Sequence, residues 1–287
     1  MAKTVTEAFG KLKENIEPTS IQKEVLSTRQ QSVRNAVSTD LLTIDSFLTG
    51  SYSRSTMIAP LTQADIDIFV VLDPKYYSFD GYEKVLDKVK SSLKKTYPKT
   101  PEISRNGQAV TITFTDFKVD VVPAFNRNGG GYLIPDTVGH RWISTNPKSH
   151  NEHITAHNTA HCGNLVPLVK MIKAWNRTIN SVFVSFYLEL ALVKVLNGVT
   201  ISDFPSAVRY FFDKGRDVVR YKISDPANYG DMINPLSSIN TVDEAVSRFE
   251  TALTRARKAE EFAKNYKTAD AIEEWRKIFG KYFPASN

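Results

Sequence analysis

Cysteine is nearly missing from this chain: Cys162 is the only thiol among 287 residues. An internal disulfide framework is therefore excluded, and the composition fits a reducing compartment. Long hydrophobic runs are missing too; none approaches the roughly 18–20 apolar residues that a membrane span needs. The opening stretch MAKTVTEAFGKLKENI carries charges throughout and has no apolar h-region, so it does not read as a secretory signal. No internal repeat and no low-complexity tract stands out. Nor does one sign of charge dominate. The 37 basic and 31 acidic residues leave +6, which suits anionic ligands but is too small to separate nucleotides from nucleic acid. The expectation is a soluble cytoplasmic protein with no membrane partner.

What is present is the composition of a folded enzyme. Hydrophobic residues at 41%, aromatics at 11% and charged residues at 24% can build and solubilise a sizeable core, in one large domain or two ordinary ones. The N-terminal stretch reads helical. Thr19 with Gln22 makes a capping box, and Ile21, Val25, Leu26, Val33 and Val37 roughly follow a helical stripe. The period then changes: 43–48 and 66–72 are rich in β-branched and aromatic residues and read as strands. Residues 82–97 return to helical spacing. Two more strands are expected at 109–114 and 118–122 across a short turn at 115–117, and Gly129-Gly130-Gly131 marks a loop. Beyond about residue 150 the strand signals fade, and 165–175, 182–195, 204–219 and 242–279 read helical. The expected layout is a mixed α/β region over 1–150, N-terminal helices included, and a helical region over 151–287.

The chemistry concentrates in one order of elements. A strand ends at Thr49-Gly50-Ser51-Tyr52-Ser53-Arg54, and a second strand opens with Asp65-Ile66-Asp67-Ile68-Phe69. Side chains alternate along a strand, so Asp65 and Asp67 project from the same face. Adjacent carboxylates repel, and at the head of an apolar strand they make sense chiefly with a cation between them. Gly-Ser before a helical turn offers backbone N–H groups and a hydroxyl to a phosphate tail. Asp120, in Lys118-Val119-Asp120-Val121-Val122, would complete a three-carboxylate nest if its strand paired near Asp67. Asp116 has the same parity but falls at the expected turn, where aspartate is ordinary turn chemistry. Gly-Ser alone is a common turn and Asp-x-Asp alone can be a surface pair; the order of the pieces gives them meaning.

In that order the sequence resembles the polymerase-β-like nucleotidyltransferase superfamily, whose signature is Gly-Ser, Asp-x-Asp and a distal Asp. It resembles more closely the branch of bacterial cGAS/DncV-like nucleotidyltransferases, the CD-NTases. Gly131-Tyr132-Leu133-Ile134-Pro135-Asp136 with Trp142 and Thr145-Asn146-Pro147 looks like that branch's segment between core and helical lobe. Leu168 to Trp175 resembles its Lys-x-Trp helix, and Ser185 to Leu190 the helix that follows. The resemblance implies an α+β fold, with a mixed-sheet core, a C-terminal helical lobe and the active site in the cleft between them. It implies Asp65, Asp67 and Asp120 as catalytic ligands for two Mg²⁺ ions, with Mn²⁺ as a substitute. Gly50 and Ser51 would hold the triphosphate, with Arg54 approaching phosphate or bracing the loop. Lys173, with Lys170 one helical turn earlier, would reach the triphosphate from the helical lobe. Ser185 and Phe186 would lie by the nucleotide, Phe186 stacking on a base. The activity implied is joining NTPs into a cyclic di- or trinucleotide second messenger with pyrophosphate release, in bacterial anti-phage signalling. Linear oligonucleotide synthesis, or modification of RNA or protein by the same centre, is the alternative; a non-catalytic nucleotide- or nucleic-acid-binding protein is the alternative of another class. An activating or regulatory protein is left open, a nucleic-acid activator is not favoured, and a monomer is.

Two further features of the sequence read as ordinary solvated structure. All five histidines, His140, His150, His153, His157 and His161, lie in one interval beside Cys162. Three successive helical turns span too far for a compact tetrahedral zinc site, so solvated or hydrogen-bonded histidines are expected. Lys84, Lys88, Lys90, Lys94, Lys95 and Lys99 share their helix and flank with Glu83 and Asp87, which reads as a solvated face. The stretch from Arg248 to Lys281 alternates in sign and reads as one long amphipathic helix.

Overall fold

The computed structural model describes residues 2–63, 65–100, 102–237 and 241–286. The chain divides into two compact units, Pro18–Asn151 and a second made of Met1–Glu17 with Glu152–Asn287. The first helix, α1 (Val5–Asn15), thus groups with the helical C-terminal residues and not with the sheet, unlike the expected 1–150 region. The reason is its aromatic anchor. Phe9 is buried edge-on against Trp275 at 5.0 Å and Phe283 at 5.2 Å between ring centroids, and such aromatic pairs add to simple area burial.

The Pro18–Asn151 unit begins with α2 (Ser20–Asp40), whose Thr19 and Gln22 form the expected capping box. It continues through β1 (Thr43–Leu48), a single helical turn α3 (Gly50–Ser53), β2 (Asp65–Leu72) and α4 (Tyr82–Thr96). Then come β3 (Ile103–Asn106), β4 (Ala109–Thr113), β5 (Lys118–Asn126), β6 (Tyr132–Asp136) and β7 (Arg141–Thr145). These make one mixed seven-stranded sheet in the order β1-β2-β5-β4-β3, with β6 bridging β5 and β7. Only β2 and β5 run parallel; the other pairs are antiparallel.

Strand alternation divides the sheet's two faces. Ile66, Ile68, Val70 and Leu72 of β2, with Val119, Val121 and Phe125 of β5, join the large core that includes Val33 and Val37 of α2 and Leu86 and Val89 of α4. On the other face Phe69, Val71, Val122 and Ala124 gather with Tyr132 and Ile134 into a smaller core. Asp65 and Asp67 precede Phe69 at the same parity, and Asp120 precedes Val122. The less covered face is therefore apolar toward one end and acidic toward the other.

The second unit is helical. α5 (Pro147–Ala160) leads into it, followed by α6 (Leu165–Thr178), α7 (Ser185–Val195) and α8 (Phe204–Val218). A two-stranded ribbon, β8 (Ile223–Ser224) with β9 (Met232–Ile233), precedes α9 (Val242–Lys264) and α10 (Thr268–Phe279). Trp175 packs on Phe183, Phe212 and Phe249 at 4.9–5.6 Å, tying α6, α8 and α9 together.

Two sequence expectations are corrected, and one segment without an assigned element gains one. Residues 242–279 form two helices, because the chain turns at Asn265-Tyr266-Lys267 with Tyr266 at φ +59°. The segment 131–147 supplies a β-hairpin, β6–β7, that extends the sheet from the end of β5. The helix expected from 182 starts at Ser185, since Phe183 is taken by a β-bridge to Leu236. Among the described residues no helix is long and apolar enough to cross a membrane.

Candidate active site

The parallel register of β2 and β5 makes the site. Asp67 stands opposite Asp120, with Asp65 opposite Lys118. Neighbouring strands lie about 4.8 Å apart, and residues two apart on a strand are separated by roughly 6.6 Å. Three carboxylates thus sit on one face of two adjacent strands. Asp65 is exposed, while Asp67 and Asp120 are half-buried.

Gly50 lies directly against this group. It adopts φ +65°, and a Cβ there would fall 1.7 Å from Oδ2 of Asp67. The Thr49 N–H donates to the Asp67 carbonyl at 2.9 Å, which lays the β1–α3 corner across the head of β2. The corner is braced within the unit. The Thr56 N–H donates to the Ser51 carbonyl at 2.9 Å, the Arg54 N–H to the Gly50 carbonyl at 3.3 Å, and the Ser53 hydroxyl to Oδ1 of Asn151 at 2.9 Å. Gly50, Ser51 and Arg54 therefore all belong to the turn that touches Asp67.

On the other side of β5, Thr111 of β4 is the register partner of Asp120, and its hydroxyl donates to Asp120 Oδ1 at 2.5 Å. Burial raises the Asp120 carboxyl above the ordinary aspartate value. The Thr111 hydrogen bond opposes that rise, the negative charge of Asp65 adds to it, and Lys118 opposes it. Both raising effects penalise the ionised form, and a cation beside the group would counter them.

The donor set is all hard oxygen, the type that Mg²⁺ or Mn²⁺ takes and that soft metals do not prefer. In chemistry and strand placement the three carboxylates fit such ions. As the side chains stand, however, no group of three or more His, Cys, Asp or Glu among the described residues is gathered closely enough to hold a metal. The expected nest is shared on one face without closing around a point.

The remaining expected residues lie in the helical unit. Lys173 on α6 is buried and ion-paired with the buried Glu189 of α7, Nζ to Oε1 at 2.6 Å. Lys170, one turn earlier, pairs with Glu17 at 2.6 Å. Both lysines expected at the triphosphate thus hold carboxylates of their own unit. Ser185 opens α7 and is exposed, and Phe186 beside it is half-buried. His153 and His157 meet edge to face along α5 with ring centroids 4.7 Å apart, while His161 falls just past its end; burial and the neighbouring His157 hold the His161 imidazole below its usual value. Asp116 pairs with Arg29 at 3.3 Å, in keeping with a turn residue outside the carboxylate group.

Sequence reasoning missed Thr111, Glu189 and Asn151. The partners of Asp120 and Lys173 follow from strand register and helix packing. Their only sequence trace is a threonine at the parity of the acidic face and a glutamate amid Leu188, Leu190, Ala191 and Leu192.

The family model described as Second Messenger Oligonucleotide or Dinucleotide Synthetase domain matches residues 3–158, more than half of the chain. A cyclic AMP-AMP-AMP synthase of Acinetobacter is 28% identical over 302 residues, covering 99% of this chain and 86% of that protein. Among solved structures, Escherichia coli CdnC in complex with HORMA-deltaN matches with a TM-score of 0.75 and 21% identity over 98% of each chain. Vibrio cholerae DncV cyclic AMP-GMP synthase, solved with nonhydrolyzable GTP, matches with a TM-score of 0.69 and 16% identity, over 83% of this chain and 69% of that one. These two structures establish a common fold.

Proposed function

The chain belongs to the second messenger oligonucleotide or dinucleotide synthetase family, and on that premise we propose that it joins NTPs into a cyclic di- or trinucleotide, releasing pyrophosphate at each bond. The observation that carries this reading is the parallel register of Asp67 and Asp120, with Gly50 pressed on the Asp67 carboxylate. That is the juxtaposition a polyphosphate-handling acidic site requires. The Acinetobacter relative makes ATP the first substrate to test and a cyclic triadenylate the first product to seek.

In this reading Asp65, Asp67 and Asp120 hold two Mg²⁺ ions, for which Mn²⁺ can substitute. When bound, the ions neutralise phosphate charge and lower the pKa of an attacking sugar hydroxyl. The chain's own groups do the rest. The backbone at Gly50 comes close to the acidic face because no side chain intervenes, and Ser51 offers its hydroxyl and its N–H to the polyphosphate tail. Arg54, at the end of the same turn, adds positive charge. Ser185 and Phe186 supply a polar contact and a ring face for the nucleotide. Lys170 and Lys173 keep the triphosphate role proposed for them only if nucleotide draws them from Glu17 and Glu189. The sugar oxygen bonds to the α-phosphorus as the bond to pyrophosphate breaks; the transfer repeats for each added nucleotide, and a last one within the linear product closes the ring.

Family membership also supports a signalling role in bacterial anti-phage defence, in the cytoplasm, with the product acting on an effector. The CdnC structure contains HORMA-deltaN, which makes a protein regulator the kind of partner to seek for this chain.

The test is incubation with the four NTPs and Mg²⁺ or Mn²⁺, followed by phosphatase and mass analysis. A phosphatase-resistant product whose mass equals a closed ring of nucleoside monophosphates is expected. A product trimmed by phosphatase would replace the cyclase reading with linear transfer. Nucleotide binding without pyrophosphate release would leave a sensor rather than an enzyme.

A further inference from the structure

We propose that Thr111 is a positioning residue for the transfer reaction, its hydroxyl anchoring one oxygen of the Asp120 carboxylate and leaving the other for a cation. This rests on the reading above, in which Asp120 is an ion ligand, and adds to it a residue outside the signature.

Asp120 sits on β5 between β2 and β4, so it has one partner on each side: Asp67 across the parallel pair and Thr111 across the antiparallel pair. Residues opposite each other in a sheet share a face and lie within side-chain reach. The three therefore form a row across the sheet, Thr111 to Asp120 to Asp67. In this row a second carboxylate faces Asp120 on one side and a hydroxyl donates to it on the other.

Threonine suits the position. Its β-branch restricts χ1, so its hydroxyl points in a set direction from a strand. Thr111 is buried, at 8% exposure, among β4 residues that pack into the sheet. Its hydroxyl could have been satisfied by a backbone carbonyl. It instead donates to Asp120 Oδ1 at 2.5 Å, in the short range of hydrogen bonds to an ionised acceptor. Asp65 and Asp67 contrast with Asp120: the first is exposed at the strand head, and the second is confined by the glycine that covers it. Each carboxylate is thus restrained differently, and Asp120 is held by a hydroxyl on the neighbouring strand. A carboxylate with one oxygen committed offers a cation the other oxygen in a fixed direction. Outer groups that orient a metal's ligands in this way are worth about 10–100-fold in metal affinity or activity.

The experiment compares Thr111→Val, which keeps the shape and the β-branch but not the donor, with Thr111→Ser, which keeps the donor. Mn²⁺ binding is titrated by electron paramagnetic resonance on the full chain with a non-hydrolysable ATP analogue, and turnover is measured against Mn²⁺ concentration. Thr111→Val is expected to weaken Mn²⁺ binding about tenfold, with a matching rise in the Mn²⁺ needed for half-maximal turnover. The KM for ATP at saturating Mn²⁺ should stay unchanged, and Thr111→Ser should bind Mn²⁺ as the parent does. Melting curves without metal separate a folding defect from this effect, and the three proteins should melt alike. Thr111→Val with parental Mn²⁺ binding would overturn the inference while leaving the catalytic reading intact. Asp120→Asn with parental Mn²⁺ binding and turnover would overturn both, because Asp120 would then not be a ligand.

Discussion

Replacing Gly50 by alanine tests the site through its tightest contact. Two effects follow, of different size. The first is conformational. Gly50 holds φ +65°, and a residue with a Cβ in the left-handed region costs roughly 1–2 kcal/mol, which lowers the melting temperature by a few degrees. The second is local. The new methyl would start 1.7 Å from Asp67 Oδ2 and 2.7 Å from its Cγ, so the carboxylate or the β1–α3 corner must give way by more than 1 Å. A displacement of about 1 Å at a reacting centre can cost on the order of 10²-fold in rate. Gly50→Ala should therefore remain folded, melt slightly earlier and lose about two orders of magnitude in pyrophosphate release. The assay pairs a melting curve with initial rates from ATP and Mn²⁺. A variant that melts early but keeps parental turnover would refute the claim that the Asp67 carboxylate must lie where Gly50 confines it.

Two other predictions concern the helical unit. Lys173→Met removes the cation bonded to the buried Glu189 and should destabilise by about 3–5 kcal/mol, while Lys173→Met with Glu189→Leu should recover most of that loss in chemical denaturation. If the double variant regains stability and keeps the parental KM for ATP, Lys173 is a structural cation and not a phosphate ligand. Glu274 of α10 is pulled both ways: burial raises its carboxyl, but hydrogen bonds from Lys277 and Lys258 at 2.9 and 3.0 Å outweigh that and hold it below the ordinary 4.5. Its folded value lies below the unfolded one, so its contribution is present above about pH 4.5 and fades as pH falls through the lower folded value. The melting-temperature gap between the parent and Glu274→Gln should be open at pH 7 and close in acid; a gap that is constant across that range would contradict the assignment.

Much of the site is legible in the sequence, because a period of two survives in β2. Asp65, Asp67, Phe69 and Val71 occupy one face whatever the strand pairs with, so a shared acidic face follows from the alternation alone. The pairing of Asp67 with Asp120 does not follow in the same way, since parallel strands are set by the connection between them and not by a local turn. β3 is illegible: Ile-Ser-Arg-Asn has no alternation, and its edge position lets three of its four residues stay exposed. The α9–α10 break is hidden for a different reason. Tyr266 takes the left-handed conformation that glycine usually marks, so no Gly or Pro announces the turn. Lys173 and Glu189 satisfy each other inside helices whose buried faces are mostly apolar, and a lysine read alone looks available to solvent and phosphate.

The central question is whether the β2 and β5 carboxylates perform the transfer. Asp67→Asn and Asp120→Asn, purified as folded protein and supplied with ATP and Mn²⁺, measure this by pyrophosphate release. Release is expected to fall to background in each, with melting temperatures no lower than the parent's, since each change removes one of two facing negative charges. Parental release from either variant would contradict it.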